Sequence, residues 1–440
     1  MTRHRRPSKA KKAGTRPAPA AAPPRPRRSL AAHALRFAGM LAGALALVLG
    51  SVRIHGWLSL QRAERHLLAS LGAEAFSGPL PVGRDGTTVP HVLAALAALD
   101  AREEQLAPLS ELAMLPAVPM SQAQRESAEE LVAVHAAVLA ELERIPEREV
   151  ARLGLWQDIE PEAEGKLQAG LLMLAQLAAI EGRLACETRD AGRLERSLAV
   201  LGGLATGLEL EDRSQPLLVG LMVEHLQHLL LARAIAAGAT DAQPAGRLEA
   251  ALGAADLRLA YRRTLRGRVA ELEALRSPLA WSPAGFKAWL SDAVYFDVRL
   301  ARALDELGLQ ASEIDRPLLA PLSAAASLPG LGSIAAAGAL GLPWRIQLVE
   351  AARGLARASL ALRRLALRDG RYPRELAEAR EALGALQGVG VGVVLEHGGD
   401  GSARLRVPGG DEALRSIVSD AGHPALLTWE LPPPSRPSLQ

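Results

Sequence analysis

Between Arg36 and Arg53 lie sixteen residues without a charge, FAGMLAGALALVLGSV. No other stretch limits the chain's options as strongly, because a run of this kind has to leave water. As a helix it spans roughly 24 Å at 1.5 Å per residue, somewhat short of a ~30 Å hydrocarbon core. Leu30–Leu35 and Ile54–Trp57 extend the apolar envelope on both sides. Arg36 and Arg53 can reach the interfaces along their aliphatic stems, and Trp57 suits an interfacial depth.

The flank gives the run a direction. Residues 1–36 contain eleven Lys or Arg and no acid, and the first acid is Glu64. The positive-inside rule then predicts a signal anchor over 30–57, single-pass in a bacterial inner membrane, with the N-terminus cytoplasmic and the bulk extracytoplasmic. The Pro-, Ala- and Arg-rich stretch 7–28 has little apolar surface to offset its ordering entropy, so residues 1–29 are expected to be a disordered basic tail. Three other readings compete. A cleaved signal peptide needs small residues at its cleavage site, and VLGS at 48–51 is a poor one. Arg27–Arg28 begins a twin-arginine pattern that is not completed. A buried helix of a water-soluble protein leaves the basic flank unexplained.

Removing the leader changes the charge. The full chain has 51 bases and 48 acids, so residues 37–440 have 40 bases and 48 acids and sum to −8. An acidic body without a basic stripe argues against nucleic-acid binding. Cys186, the sole cysteine, excludes an internal disulfide and a cysteine metal cage, and it reads as a buried inert thiol.

Aromatics make up only 3% of residues while Ala and Leu abound, which favours helix over strand. The expected fold is mainly α: an N-terminal transmembrane helix, stacked α-hairpins and a small antiparallel β element at the C-terminus. Periodicity and breakers predict helices over 57–72, 91–105, 121–144, 163–187, 189–209, 215–237, 244–276 and 284–308. Pro146, Pro161 and Pro216 stand at expected starts. Asp190–Ala191–Gly192 marks a tight break, and 163–237 reads as helix-turn-helix units like tetratricopeptide hairpins without the strict 34-residue signature. The helical extracytoplasmic domain is expected over 58–316. Between Arg316 and Arg345 no charge occurs, and 317–343 reads as an Ala-, Gly- and Pro-rich connector, with a second membrane segment as the alternative.

Residues 344–440 are expected to form a long helix, a GRYP turn and a β tail. On a helical wheel Arg353, Arg357, Arg364 and Arg368 fall within about 60° of one another, opposite Leu348, Leu355 and Leu362. That strip reads as a solvated face with Glu350 pairing to Arg353 or Arg357, or as a surface for anionic partners. In RLALRDGRYPRELAEA, Gly370 fits the left-handed position after a helix, and Pro373 is expected to open a second helix. Tyr372 is placed to pack in the corner.

This segment is similar to the hGRYPxsLxxL stretch of a class of uncharacterised bacterial envelope proteins, which pair one N-terminal anchor with a helical body and a short β tail. It also resembles, at a distance, the C-terminal region of type II secretion pseudopilins. Gly398–Gly399–Asp400–Gly401 and Trp429 stand where those proteins have a GxDG loop and a tryptophan-containing strand. A pseudopilin leader needs an early Glu, and none precedes Glu64, so that identity is excluded. The class implies no known activity.

The tail alternates Val389, Val391, Val393 and Leu395 before GGDG and ARLRV, which predicts a hairpin. Asp400 alone is too little for Ca²⁺. Chemistry is harder to find. Glu224, His225 and His228 could begin a Zn²⁺ site, but HExxH order and a third ligand are missing. No GxSxG, GxGxxG or Walker A pattern occurs. No catalytic or cofactor-binding residue is identified, and no cofactor is expected. WSPAGFKAWLSDAVYF, 281–296, contains five of thirteen aromatics. Trp281, Phe286, Trp289 and Phe296, with the four arginines, are the candidate interaction residues, against a reading as core filler. The expected function is an envelope scaffold bound to the bilayer through 30–57 and to an unknown protein. The alternatives are an envelope hydrolase with a scattered site and an accessory of secretion or pilus assembly. A deep pocket with convergent titratable groups around His225 and His228 would favour the hydrolase.

Overall fold

The computed structural model describes residues 30–72, 89–100, 109–113, 119–145, 153–156, 159, 161–241, 245–252, 255–274, 294–314, 342–379, 393–408 and 427–434. Residues 1–29, most of the 317–343 connector and Val389–Val391 lie outside them. The chain divides into two compact units, Met1–Ile54 and His55–Gln440.

Helix α1 covers Leu30–Leu71, 42 residues in one piece. The sequence predicts an anchor and then a separate helix from 57. Gly56 is the only breaker there, and one Gly costs a helix about 1 kcal/mol, too little to end it. Before Ile54 large apolar side chains stand exposed, Leu35 and Leu47 by 74% each. From Leu60 onward the helix is amphipathic: Leu60, Ala63, Leu67 and Leu71, spaced by three or four, are buried.

The body continues with α2 (Val89–Asp100), α3 (Leu109–Ala113), α4 (Gln122–Val134) and α5 (Ala136–Leu142). A capping box starts α4, in which Ser121 and Gln124 satisfy each other's backbone amides. The expected helix 121–144 is interrupted at His135. Then come α6 (Pro161–Thr188), α7 (Ala191–Glu209) and α8 (Ser214–Ala236), each packed on the other two. The break between α6 and α7 is at Arg189, left-handed at φ 53°, and Asp190 caps α7 by accepting from the Arg193 amide. Gly192 already lies in the helix. Gly202 allows the closest approach in this layer, since a Cβ there would stand 2.2 Å from the Ala251 carbonyl oxygen.

Next are α9 (Ala245–Ala251), α10 (Leu257–Ala274), α11 (Val294–Glu313) and α12 (Leu342–Asp369). One core runs from Val92 through α6–α8 and α12 to Leu431. A second gathers Leu60–Leu71 of α1, Leu217 and Leu221 of α8, and apolar residues of α10, α11 and α12. Helix α8 therefore serves both cores, which is why it is apolar nearly all round.

After α12, Gly370 is left-handed at φ 75°, as its place in DGRYP predicts. The helix expected after Pro373 is, in the described residues, a 3₁₀ turn at Leu376–Ala379. Strands β1 (Val394–His397), β2 (Ala403–Arg406) and β3 (Thr428–Leu431) form an antiparallel sheet in that order. GGDGS closes the first hairpin. Val393 and Leu395 pack on the core while Val394 is exposed, as the alternation predicts. Strand β3 rests on α8 and α12, so the sheet is a patch on the helical layer.

Among the described residues, three helices are long and apolar enough to cross a membrane: Ala32–Leu71, Ala163–Thr188 and Ser214–Ala236. The most apolar window is 72% buried inside the protein in each of the last two, and 0% buried in the first.

Candidate functional site

The densest polar arrangement lies where α7, α8 and α12 meet. Glu209 ends α7, Glu224 and His228 stand one turn apart on α8, and Arg353 reaches across from α12. Glu209, Glu224 and His228 are 0% exposed. Arg353 donates to both oxygens of Glu224, through Nε to Oε1 and through Nη2 to Oε2 at 2.8 Å. The same Nη2 donates to Glu209 Oε2 at 3.1 Å, and Nη1 donates to the Ala255 carbonyl between α9 and α10.

One guanidinium faces two carboxyl groups, and both cannot ionise out of water. Burial and then the Glu224 charge push Glu209 well above the usual carboxylate range. Burial also works against the Glu224 charge, but Arg353 outweighs it and Glu224 stays below that range. A side-chain hydrogen bond also links the two carboxyl groups, raising Glu209 and lowering Glu224, so Glu209 is the one that donates. The His228 ring stands edge-on to Trp429 of β3, centroids 6.5 Å apart at 71°. Its Nε2 is 3.7 Å from Glu224 Oε1, and neither ring nitrogen has a hydrogen-bond partner among the described residues. Burial, opposed by Glu224 and joined by Arg353 and Arg357, pushes His228 down to about 4. The cluster thus has one cation, one anion, a carboxylic acid and a neutral imidazole.

A second knot explains the GRYP corner. Arg363 on α12 forms a bidentate pair with Asp241, at 2.8 and 2.6 Å, and donates to Tyr372 Oη at 3.0 Å. Tyr372 Oη donates to the Pro432 carbonyl at 2.8 Å, and Arg363 also donates to the Pro432 and Pro433 carbonyls. Tyr372 is buried in the corner, as expected, and its hydroxyl binds the chain leaving β3. A third knot joins Arg233 of α8 to Glu187 of α6 at 2.7 Å, with Arg125 of α4 on the other Glu187 oxygen at 3.4 Å.

The sequence candidates fare differently. Glu224 and His228 do converge, but on an arginine, and His225 is half-buried beside them; no group of three metal-ligating side chains forms among the described residues. The arginine strip is not one solvated face. Arg353 is buried, Arg357 half-buried, and Arg364 and Arg368 exposed. Arg353 is buried against Glu209 of α7, Glu224 of α8 and the Ala255 carbonyl. Glu350 pairs with Arg258 of α10 at 3.1 Å, not with Arg353 or Arg357. Arg364 pairs with Glu249 and Arg368 with Asp369. Trp281, Phe286 and Trp289 lie outside the described residues, and Phe296 falls in α11. Cys186 is buried, and burial pushes its thiol up to about 12, consistent with an inert thiol.

Sequence reasoning missed Glu209, Asp241 and Arg363. One signal for Glu209 was present: an acid in the last turn of an apolar helix opposes the macrodipole and calls for a cation. The titratable groups converge, as the hydrolase reading expected, but on an arginine of α12. Among the described residues, a depression of ≈ 10 Å³ lies between α5, α6 and α7, lined by Leu142, Glu143, Ala178, Glu181 and Ser197. That is room for about one water molecule. No family model, curated protein or solved structure matches the chain.

Proposed function

We propose that the chain is a membrane-anchored scaffold or protein-interaction protein of the bacterial cell envelope. In this reading it is single-pass through 30–57, with the basic leader cytoplasmic and the helical body extracytoplasmic. The observation that carries the reading is the contrast among the three apolar helices. Most of the apolar window is buried in the protein's own core in two of them, whereas none of the window of α1 is buried. Side chains such as Phe37, Met40 and Leu45, each more than half exposed, call for a lipid environment. Eleven bases on one flank and no acid set the orientation. The kinship to single-anchor envelope proteins with a GRYP turn belongs to the same proposal.

Alkaline phosphatase fused after Gln440 tests the topology. The fusion is expected to be active in cells, and the native chain is expected to stay with membranes through a carbonate wash. An inactive fusion, or release by carbonate, would remove the assigned compartment. Crosslinking in the native membrane followed by pull-down is expected to return a specific envelope protein, and hydrolase activity in the purified chain would displace the scaffold reading.

A further inference from the structure

Within the cluster of Glu209, Glu224, His228 and Arg353, the three side chains from α7 and α8 are wholly buried, and Arg353 of α12 reaches over the two carboxyl groups. In the folded state Arg353 balances Glu224, and the second carboxyl group has no cation of its own. An imidazolium at His228 would lack an acceptor within hydrogen-bond distance among the described residues, and it would share the site with the Arg353 guanidinium that Glu224 already holds. Geometry therefore assigns the proton to Glu209 and withholds one from His228. In the unfolded chain at mildly acid pH the assignment reverses: a free Glu is ionised and a free His is charged.

We propose that this cluster is a proton-conserving lock: on folding His228 gives up a proton and Glu209 takes one, so the joint of α12 and β3 with the α7–α8 hairpin forms without net proton exchange in mildly acid surroundings. The charged and titratable groups facing the site are Glu209 from α7, Glu224 and His228 from α8, and Arg353 and Arg357 from α12. Strand β3 contributes Trp429 and the α9–α10 connection the Ala255 carbonyl, neither of which titrates. Glu211, two residues past Glu209, is also buried but accepts from the Gly154 amide instead.

The signs are as follows. Glu209 is raised from 4.5 in the folded state, so its contribution is complete below 4.5 and declines as pH rises toward its folded value. His228 is lowered from 6.5 to about 4, so its contribution is complete above 6.5 and declines as pH falls toward 4. Between 4.5 and 6.5 the two slopes oppose each other, one proton against one proton. Stability from this cluster is then level across that window, and removing either partner exposes the other.

The test is chemical denaturation of the full-length protein in detergent micelles at pH 4.5 to 6.5, comparing wild type, Glu209→Gln, His228→Asn and the double variant. Relative to wild type, the folding constant of Glu209→Gln is expected to fall about tenfold for each pH unit of acidification, and that of His228→Asn to rise by the same factor. The double variant is expected to run parallel to wild type. Single variants that both keep the wild-type profile would overturn the proposal. Should a variant not fold, the wild-type protein decides alone, through the imidazole resonances of ¹⁵N-histidine. A His228 midpoint below pH 4.5 supports the lock, and one near 6.5 overturns it.

Discussion

Arg353 and Arg364 stand about three turns apart on one face of α12 and occupy opposite surroundings. The side chain of Arg353 is 9% exposed, and its guanidinium serves two buried carboxyl groups and a carbonyl. The side chain of Arg364 is 57% exposed and meets Glu249 at 3.3 Å. Sequence and helical phase treat the two as equals. What separates them is what stands opposite: two buried carboxyl groups and the Ala255 carbonyl at Arg353, and one half-exposed α9 carboxylate with solvent at Arg364. The same residue type is a structural joint at one level and a solvated charge at the other.

The largest expected effect lies at the buried end. Arg353→Met strands Glu224 without its cation in a site closed to water. A broken buried pair of this kind costs about 3–5 kcal/mol. Denaturation of the full-length chain in detergent at pH 7 would measure it. A loss below about 1 kcal/mol would erase the contrast between the two ends. The comparison sharpens with Glu209→Gln and Glu224→Gln added to Arg353→Met. With no charge left to strand, much of the loss is expected to return, since a neutral core in place of a buried ion pair is often no less stable.

How much of this was legible follows from what a pattern can encode. Periodicity marks which residues share a face, so helix extents were readable to within a few residues for α6, α7 and α8. Left-handed Gly370 and the GGDG hairpin were readable too, because their chemistry is local. What covers a face depends on distant segments. The helical wheel grouped Arg353 with Arg364 correctly and could not say that the Ala255 carbonyl would lie against one of them. The continuity of α1 was missed for a related reason: the end of the apolar envelope at Trp57 was read as the end of the anchor helix, though nothing in the backbone requires it. Glu224 and His228 were singled out on the right face for the wrong partner, because a turn of Glu and His suits an arginine as well as a metal.

Between the two extremes lies Arg363, one residue before Arg364 and turned toward the corner. Its side chain is 4% exposed, while its partner Asp241 is 23% exposed. Water can therefore relieve part of a broken pair, and Arg363→Met is expected to cost about 2 kcal/mol, less than Arg353→Met. The loss should be local. Amide exchange in β3 is expected to accelerate before that in α7, because Arg363 and Tyr372 both hold the Pro432 carbonyl. Equal acceleration in both elements would mean that the knot supports the whole core and not the seating of the tail.

Arg364→Ala closes the series at its small end. The ion pair with Glu249 is exposed on both sides, and such pairs gain little over hydration while costing side-chain entropy. The expected change is within about 0.5 kcal/mol at low salt and smaller still at high salt, where the Debye length shrinks. Measuring Arg353→Met and Arg364→Ala at two ionic strengths separates the causes: the first loss should persist in salt, because its charges are sealed from counterions. A salt-sensitive loss at Arg353 would mean that ions reach the joint, and the closed site that makes the two ends of α12 different would then be open.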